Sequence, residues 1–266
     1  MGARGDCRPG YIEQSELNIM RGIKYFFGLV STCLILACNF TEEIHFNQDG
    51  SGKLNIHFDG NEMMEMVASM DSTMTPGKVI DSTLVFKDLL DERKDSIARL
   101  SPEEQAKLKK LEPFSIRMVV NEEEGKMNFD MFSDFENVTE VNDAFNAFQE
   151  ASKMGPTPGG KGPAPMKNSD PSTEVKYAFD GKTFSRSIVV TDQDLLKKGL
   201  DSLQGAEMFL SGSTYTFKYY FPKRVKKVNV EGATFSMDGK TMIYEVNFMD
   251  MMKNPESISL EVELEN

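Results

Sequence analysis

The sequence predicts an α+β fold, with antiparallel β-hairpins forming one or two sheets and amphipathic helices packed on one face. Three observations predict it. Apolar residues alternate with polar ones on both sides of glycine-bearing turns, as Ile44 and Phe46 and then Leu54, Ile56 and Phe58 do around Asp49-Gly50-Ser51-Gly52. Such alternation marks a strand with one buried face, and Asp-Gly supplies the positive φ that tight hairpins need. Between hairpins the apolar period lengthens to that of a helix, as in Val138, Val141, Phe145 and Phe148. Helix punctuation is also present: Ser101-Pro102-Glu103-Glu104 has the order of a capping box, and Pro113 ends the segment.

Residues 1–19 have no place in the signal that follows and are expected to be an upstream extension. Residues 20–37 have the layout of an export signal. Arg21 and Lys24 precede an uncharged run of 13 residues, Tyr25 to Ala37, and Cys38 follows it. A membrane span needs about 20 apolar residues, so this segment is expected to be removed. The tetrad Ile35-Leu36-Ala37-Cys38 resembles the lipobox of bacterial lipoproteins, with Leu36 where a smaller residue is more usual. The resemblance implies an acylated Cys38 thiol, cleavage that leaves Cys38 as the new N-terminus, and attachment to a membrane through lipid. Asn39 stands where an aspartate would resemble an inner-membrane retention signal, so the expected address is the cell outer membrane, periplasmic or surface-facing. Glu42 and Glu43 resemble the acidic surface-export signal of Bacteroidota.

Composition bounds the rest. The chain carries a net charge of −12, which repels nucleic acid and anionic headgroups. Its cysteines are Cys7, Cys33 and Cys38. Two fall in the removed part and lipid consumes the third, which leaves no thiol for catalysis or for a cysteine-ligated zinc. No cofactor is expected.

Residues 38–153 form an N-terminal α+β region. Asn39 to Glu43 reads as a polar tether, and Ile44 to Phe58 as the first hairpin. Asn47, Asp49 and Ser51 match calcium-loop spacing, but Phe58 stands where that loop needs a bidentate glutamate. The two histidines of the chain, His45 and His57, lie here. If Phe46 pairs with Ile56, His45 faces His57 and Glu43 faces Asp59. Two imidazoles and two carboxylates on one face could then hold zinc or copper, against the plainer reading of a solvated outer face. Met63, Val67, Met70 and Met74 follow at helical spacing. Such a stripe is first a core face, and otherwise an adaptable partner surface or a soft copper site. Ser82 to Leu100 reads as a helix, and Phe114 to Val120 with Lys126 to Phe132 as a second hairpin turning at Glu124-Gly125. A helix from Val138 to about Lys153 completes the region.

Residues 154–173 hold five prolines and four glycines and read as a loop or linker. Residues 174–266 form a C-terminal β-rich region. Its expected strands are Glu174 to Phe179, Thr183 to Val190, Thr214 to Phe221, Val225 to Val230, Ala233 to Met237, Thr241 to Phe248 and Ser257 to Leu264, with a helix over Asp192 to Leu203.

No nucleophile elbow, phosphate loop, H-E-x-x-H or dinucleotide fingerprint is present. The sequence therefore points to a non-enzymatic binding or scaffolding protein of the envelope, with an envelope protein as partner. The alternative is a carrier of a small apolar ligand or metal ion, with a pocket near Met63, Val67 and Phe145. Over the whole chain, the Asp-Gly-Ser-Gly hairpin, the Met-rich helix and the run from Tyr220-Phe221-Pro222-Lys223 to Asp238-Gly239-Lys240 are similar to uncharacterised cell-envelope lipoproteins of Bacteroidota. That resemblance implies an address and no activity.

Overall fold

The computed structural model describes residues 39–62, 64, 79–152, 171–203 and 207–266. The signal segment with Cys38, the methionine stripe at Met63, Val67, Met70 and Met74, and residues 154–170 lie outside the described residues. All described residues belong to one unit, Leu36–Asn266.

The first hairpin is β1 (Asn39–Phe46) and β2 (Gly52–Asp59). The expected faces are observed, with Ile44, Phe46, Leu54 and Ile56 buried. The expected register is not. Phe46 pairs with Gly52 and Ile44 with Leu54, so His45 faces Lys53 and His57 faces Thr41. The turn closes earlier than expected. Asn47 N–H donates to the Ser51 carbonyl at 2.8 Å, and Gly50 takes the left-handed conformation at φ +89°. The slip is an even number of residues, so it moves partners without exchanging faces. The tether expected over Asn39–Glu43 is instead the start of β1, and it places Glu42 in the core at 0 % exposure.

The helix expected over Ser82–Leu100 begins as a strand, β3 (Ile80–Val85), followed by short helices α1 (Phe86–Glu92) and α2 (Lys94–Ile97). Its β-branched residues pair with the free edge of β4 (Ser115–Asn121), and that edge overrides the helical apolar spacing. Helix α3 (Pro102–Lys109) has the expected capping box and no buried residue. β4 turns through Gly125 (φ +62°) into β5 (Lys126–Phe135).

The single helix expected from Val138 is broken in two. A 3-10 turn, Val138–Val141, precedes α4 (Ala144–Ser152), and Asp143 lies between them at φ +60°. That costly conformation is held from outside the helix. Asp143 N–H donates to the Val175 carbonyl, and Val175 N–H donates to Asp143 Oδ1, both at 2.8 Å.

Strands β6 (Thr173–Phe179) and β7 (Thr183–Val190) flank Gly181 as expected, and helix α5 (Gln193–Leu203) follows. After α6 (Glu207–Leu210) come β8 (Thr214–Tyr220), β9 (Val225–Val228), β10 (Thr234–Phe235) and β11 (Thr241–Asn247). Helix α7 (Phe248–Lys253), a 3-10 turn (Pro255–Ile258) and β12 (Leu260–Leu264) close the chain.

The strands form an eight-stranded sheet, β10-β11-β8-β1-β2-β5-β4-β3, and a four-stranded sheet, β6-β7-β12-β9. Every pairing is antiparallel except β1 with β8. That parallel pair places segments from both sides of residues 154–173 in one sheet. The inner face of the large sheet meets the small sheet through an aromatic cluster, with Phe46 4.5 Å from Phe179 and 5.2 Å from Phe184 between ring centroids. At the other end of β1, Phe40 stacks on Phe248 of α7 at 4.7 Å, and Phe129 meets Phe148 of α4 edge-on at 4.9 Å. The α+β content is as expected. The helices do not clearly form a layer on one face.

Candidate functional site

The four residues expected as a metal set, Glu43, His45, His57 and Asp59, all lie on the outer face of the large sheet, but the register separates them. The His45 ring stacks on Tyr220 at 3.8 Å. Glu43 accepts from the Tyr220 hydroxyl at 3.0 Å and pairs with Lys218 at 2.9 Å. Burial alone would raise the Glu43 carboxyl, but these two partners outweigh it and hold it below its ordinary range. Burial lowers His45, against the pull of Glu43. Asp59 accepts from the Asn61 backbone N–H at 3.0 Å. Among the described residues no group of three or more His, Cys, Asp or Glu gathers to hold a metal.

His57 has a different partner. Its Nδ1 lies 2.8 Å from Asp130 Oδ1, because β5 pairs His57 with Asp130 directly. The bond to Asp130 raises the imidazole above its ordinary 6.5, against the effect of burial. Burial would raise Asp130, but the bond and charge of His57 outweigh it and hold the carboxyl below 3.8. The stabilisation from His57 is therefore full below pH 6.5 and is lost as pH rises through its raised value. That from Asp130 is present above 3.8 and is lost as pH falls through its lowered value. The pair stabilises most between those limits, by about 0.5 kcal/mol for so exposed a pair. In Asp130→Asn, the His57 titration followed by NMR should move down, and the loss of urea stability between about pH 6 and about pH 8 should flatten. An unchanged His57 titration would show that Asp130 does not hold the proton.

The most enclosed charges lie between the sheets. Glu42 of β1 and Arg186 of β7 are 0 % and 2 % exposed and form a two-pronged pair, Nε to Oε1 at 3.1 Å and Nη2 to Oε2 at 3.2 Å. Tyr215 and Tyr219 of β8 donate to the same carboxylate at 3.0 and 2.6 Å. Four donors thus satisfy both carboxylate oxygens. The guanidinium carbon lies 4.7 Å from the Phe217 ring centroid. Burial would lower Arg186, but Glu42 raises it well above its ordinary value. Burial first and the Glu42 charge second raise Tyr215, Tyr219 and Tyr177 far above theirs. The carboxylate is thus held entirely by protein donors from β7 and β8.

One guanidinium nitrogen is left over. Arg186 Nη1 and the hydroxyl of neighbouring Tyr177 are both buried without a hydrogen-bond partner among the described residues. Arg186 also lines a cavity of about 70 Å³ between β7, α5 and α7, whose other walls include Phe145, Ile188, Leu196, Leu200 and Met251. Of the pocket residues expected from sequence, Phe145 lines this cavity, while Met63 and Val67 lie outside the described residues. Glu42 and Arg186 were not singled out as a pair, although a signal existed. Each is the one charge in the inward phase of an alternating strand, Phe40-x-Glu42-x-Ile44 and Phe184-x-Arg186-x-Ile188.

No family model and no curated sequence matches this chain. Among solved structures, the NMR structure of the Mycobacterium tuberculosis LppM protein folded domain aligns with a TM-score of 0.38 at 8 % identity, covering 86 % of this chain and 89 % of that one. A likeness of that extent transfers neither function nor site residues. Among the described residues no helix is long and apolar enough to cross a membrane.

Proposed function

We propose that this chain is a lipid-anchored protein of the cell envelope, held at the outer membrane through Cys38, and that its body is a non-enzymatic binding module for a small apolar ligand. The observation that carries the binding reading is the cavity of about 70 Å³ under α5, lined mainly by apolar side chains. The buried cluster around Glu42 supports the non-enzymatic reading, because its four donors and both acceptor oxygens are spent on one another.

The anchor reading rests on the lipobox-like tetrad and gains a geometric consequence. β1 runs from Asn39, the chain neighbour of Cys38. Consecutive Cα atoms are about 3.8 Å apart. A lipid on Cys38 therefore holds the first rung of the sheet, where Asn39 pairs with Thr214 and Thr214 with Asn247, against the membrane surface. Palmitate labelling with membrane fractionation tests it. Wild type should carry label and fractionate with the outer membrane, and Cys38→Ala should lose both. An unlabelled wild type would remove the anchor from this reading.

A further inference from the structure

We propose that β3 (Ile80–Val85) is a self-association strand, and that two copies of this chain join edge to edge through it as an antiparallel pair centred on Ser82. The pairing stands apart from both the anchor and the cavity.

Each of the two sheets ends in two edge strands, and an open edge is a template for another strand. Three of the four edges are blunted. β10 is two residues long. β9 carries Lys226 and Lys227 side by side, and its Val225 N–H donates to the Gly239 carbonyl. The outer edge of β6 is closed by side chains, with Val175 N–H donating to Asp143 Oδ1 and Tyr177 N–H to Asn142 Oδ1. β3 has none of these devices. It is six residues long, holds no lysine or proline, and pairs only with β4 among the described residues. Its single charge, Asp81, is tied to Arg117 of β4 by hydrogen bonds of 3.1 and 3.0 Å.

The ladder shows which groups the edge offers. Phe86 N–H donates to the Phe114 carbonyl, and Val85 stands opposite Ser115. Bonded positions alternate in an antiparallel pair. Even-numbered residues therefore turn toward β4, while Asp81, Thr83 and Val85 point N–H and C=O outward. Only registers that set odd residues opposite odd ones can join those groups.

A second copy fits because the strand complements itself across a two-fold axis. With Ser82 on the axis, Asp81 faces Thr83 of the second copy, Ile80 faces Leu84, and Val79 faces Val85, each twice. Val79 and Val85, 64 % and 39 % exposed, then cover each other. Each Thr83 hydroxyl meets a carboxylate to which it can donate. Moving the axis by one residue fails. Centred on Asp81, it sets two carboxylates directly opposite. Centred on Thr83, it needs Phe86, which starts α1 and is fully buried. With the other three edges blunted, association stops at two copies.

The test uses the full chain with Cys7, Cys33 and Cys38 all changed to serine, so that an introduced cysteine is its only thiol. Ser82 turns its own N–H away from the second copy, and opposite residues of that kind have Cα atoms about 4.5 Å apart. A disulfide spans that distance. The two copies of position 79 would lie about 20 Å apart, six residues along the strand. With oxidised glutathione, Ser82→Cys should yield a disulfide-linked dimer at least about tenfold faster than Val79→Cys, although both sites are exposed. Adding Thr83→Asp sets a carboxylate opposite Asp81 of the second copy, whereas within its own chain position 83 faces Arg117. It should slow cross-linking through position 82 by at least about tenfold and leave the melting temperature within about 4 °C. Equal cross-linking at positions 82 and 79, or none at either, would overturn the dimer. Cross-linking at position 82 that is indifferent to Thr83→Asp would overturn pairing through β3 in this register.

Discussion

Glu42→Gln should destabilise the protein by about 3–5 kcal/mol, the usual cost of removing one partner from a buried ion pair. The glutamine amide would face donors from Arg186, Tyr215 and Tyr219, and the guanidinium would remain charged between two sheets with nothing to balance it. Arg186→Met should cost a similar amount by stranding the carboxylate. The combined variant Glu42→Leu with Arg186→Met should be more stable than either single one, because no buried charge survives. Its remaining deficit comes from the Tyr215 and Tyr219 hydroxyls, each left without an acceptor at a cost of about 1–3 kcal/mol. Changing both to Phe in that background should recover much of it. Urea unfolding at constant m-value measures the series. A Glu42→Gln variant within about 1 kcal/mol of wild type would mean that water reaches the pair and that the two sheets are not closed over it.

Gly52→Ala should cost about 3 kcal/mol, at the upper end of what overpacking does. A Cβ on Gly52 would stand 2.1 Å from the His45 carbonyl oxygen and 2.6 Å from the Phe135 ring. The ring can tilt, but the carbonyl belongs to the backbone of the paired strand and cannot move without breaking the hairpin. Gly50→Ala makes the contrast. Gly50 has open space but sits at φ +89°, so its cost is the left-handed backbone alone, about 1–2 kcal/mol. With the turn centred one or two residues later, as alternation alone suggests, Gly52 would be the exposed turn glycine and the order of the two costs would reverse. Equal or reversed losses in urea unfolding would therefore overturn the observed register.

These two sites show where reading the sequence stopped. Alternation identified the inward faces of β1 and β2, since burying every second residue is a local property of a strand. Turn chemistry placed Gly125, Gly181 and Gly239, which all take positive φ. The capping box at Ser101 was read residue for residue. These signals are written within a few neighbouring residues. Register is not. In Asn47–Gly52 two glycines compete for the turn, and the choice falls to the packing of Phe135 and the His45 carbonyl against the second one. The break at Asp143 depends on Val175, the strand at Ile80 on the edge of β4, and the partner of His57 on Asp130 in β5.

By itself the sequence determined the α+β class, the inward faces of the first hairpin, the glycine turns, and the export-signal grammar ending at Cys38. Each of these rests on chain neighbours, whose spacing is covalent. Only the tertiary structure decided that Glu42 is a core residue and that Arg186 lies beside it across 144 positions of chain. A lone charge in an apolar strand reads as solvated until its counter-charge is placed, and that placement depends on two sheets packing face to face.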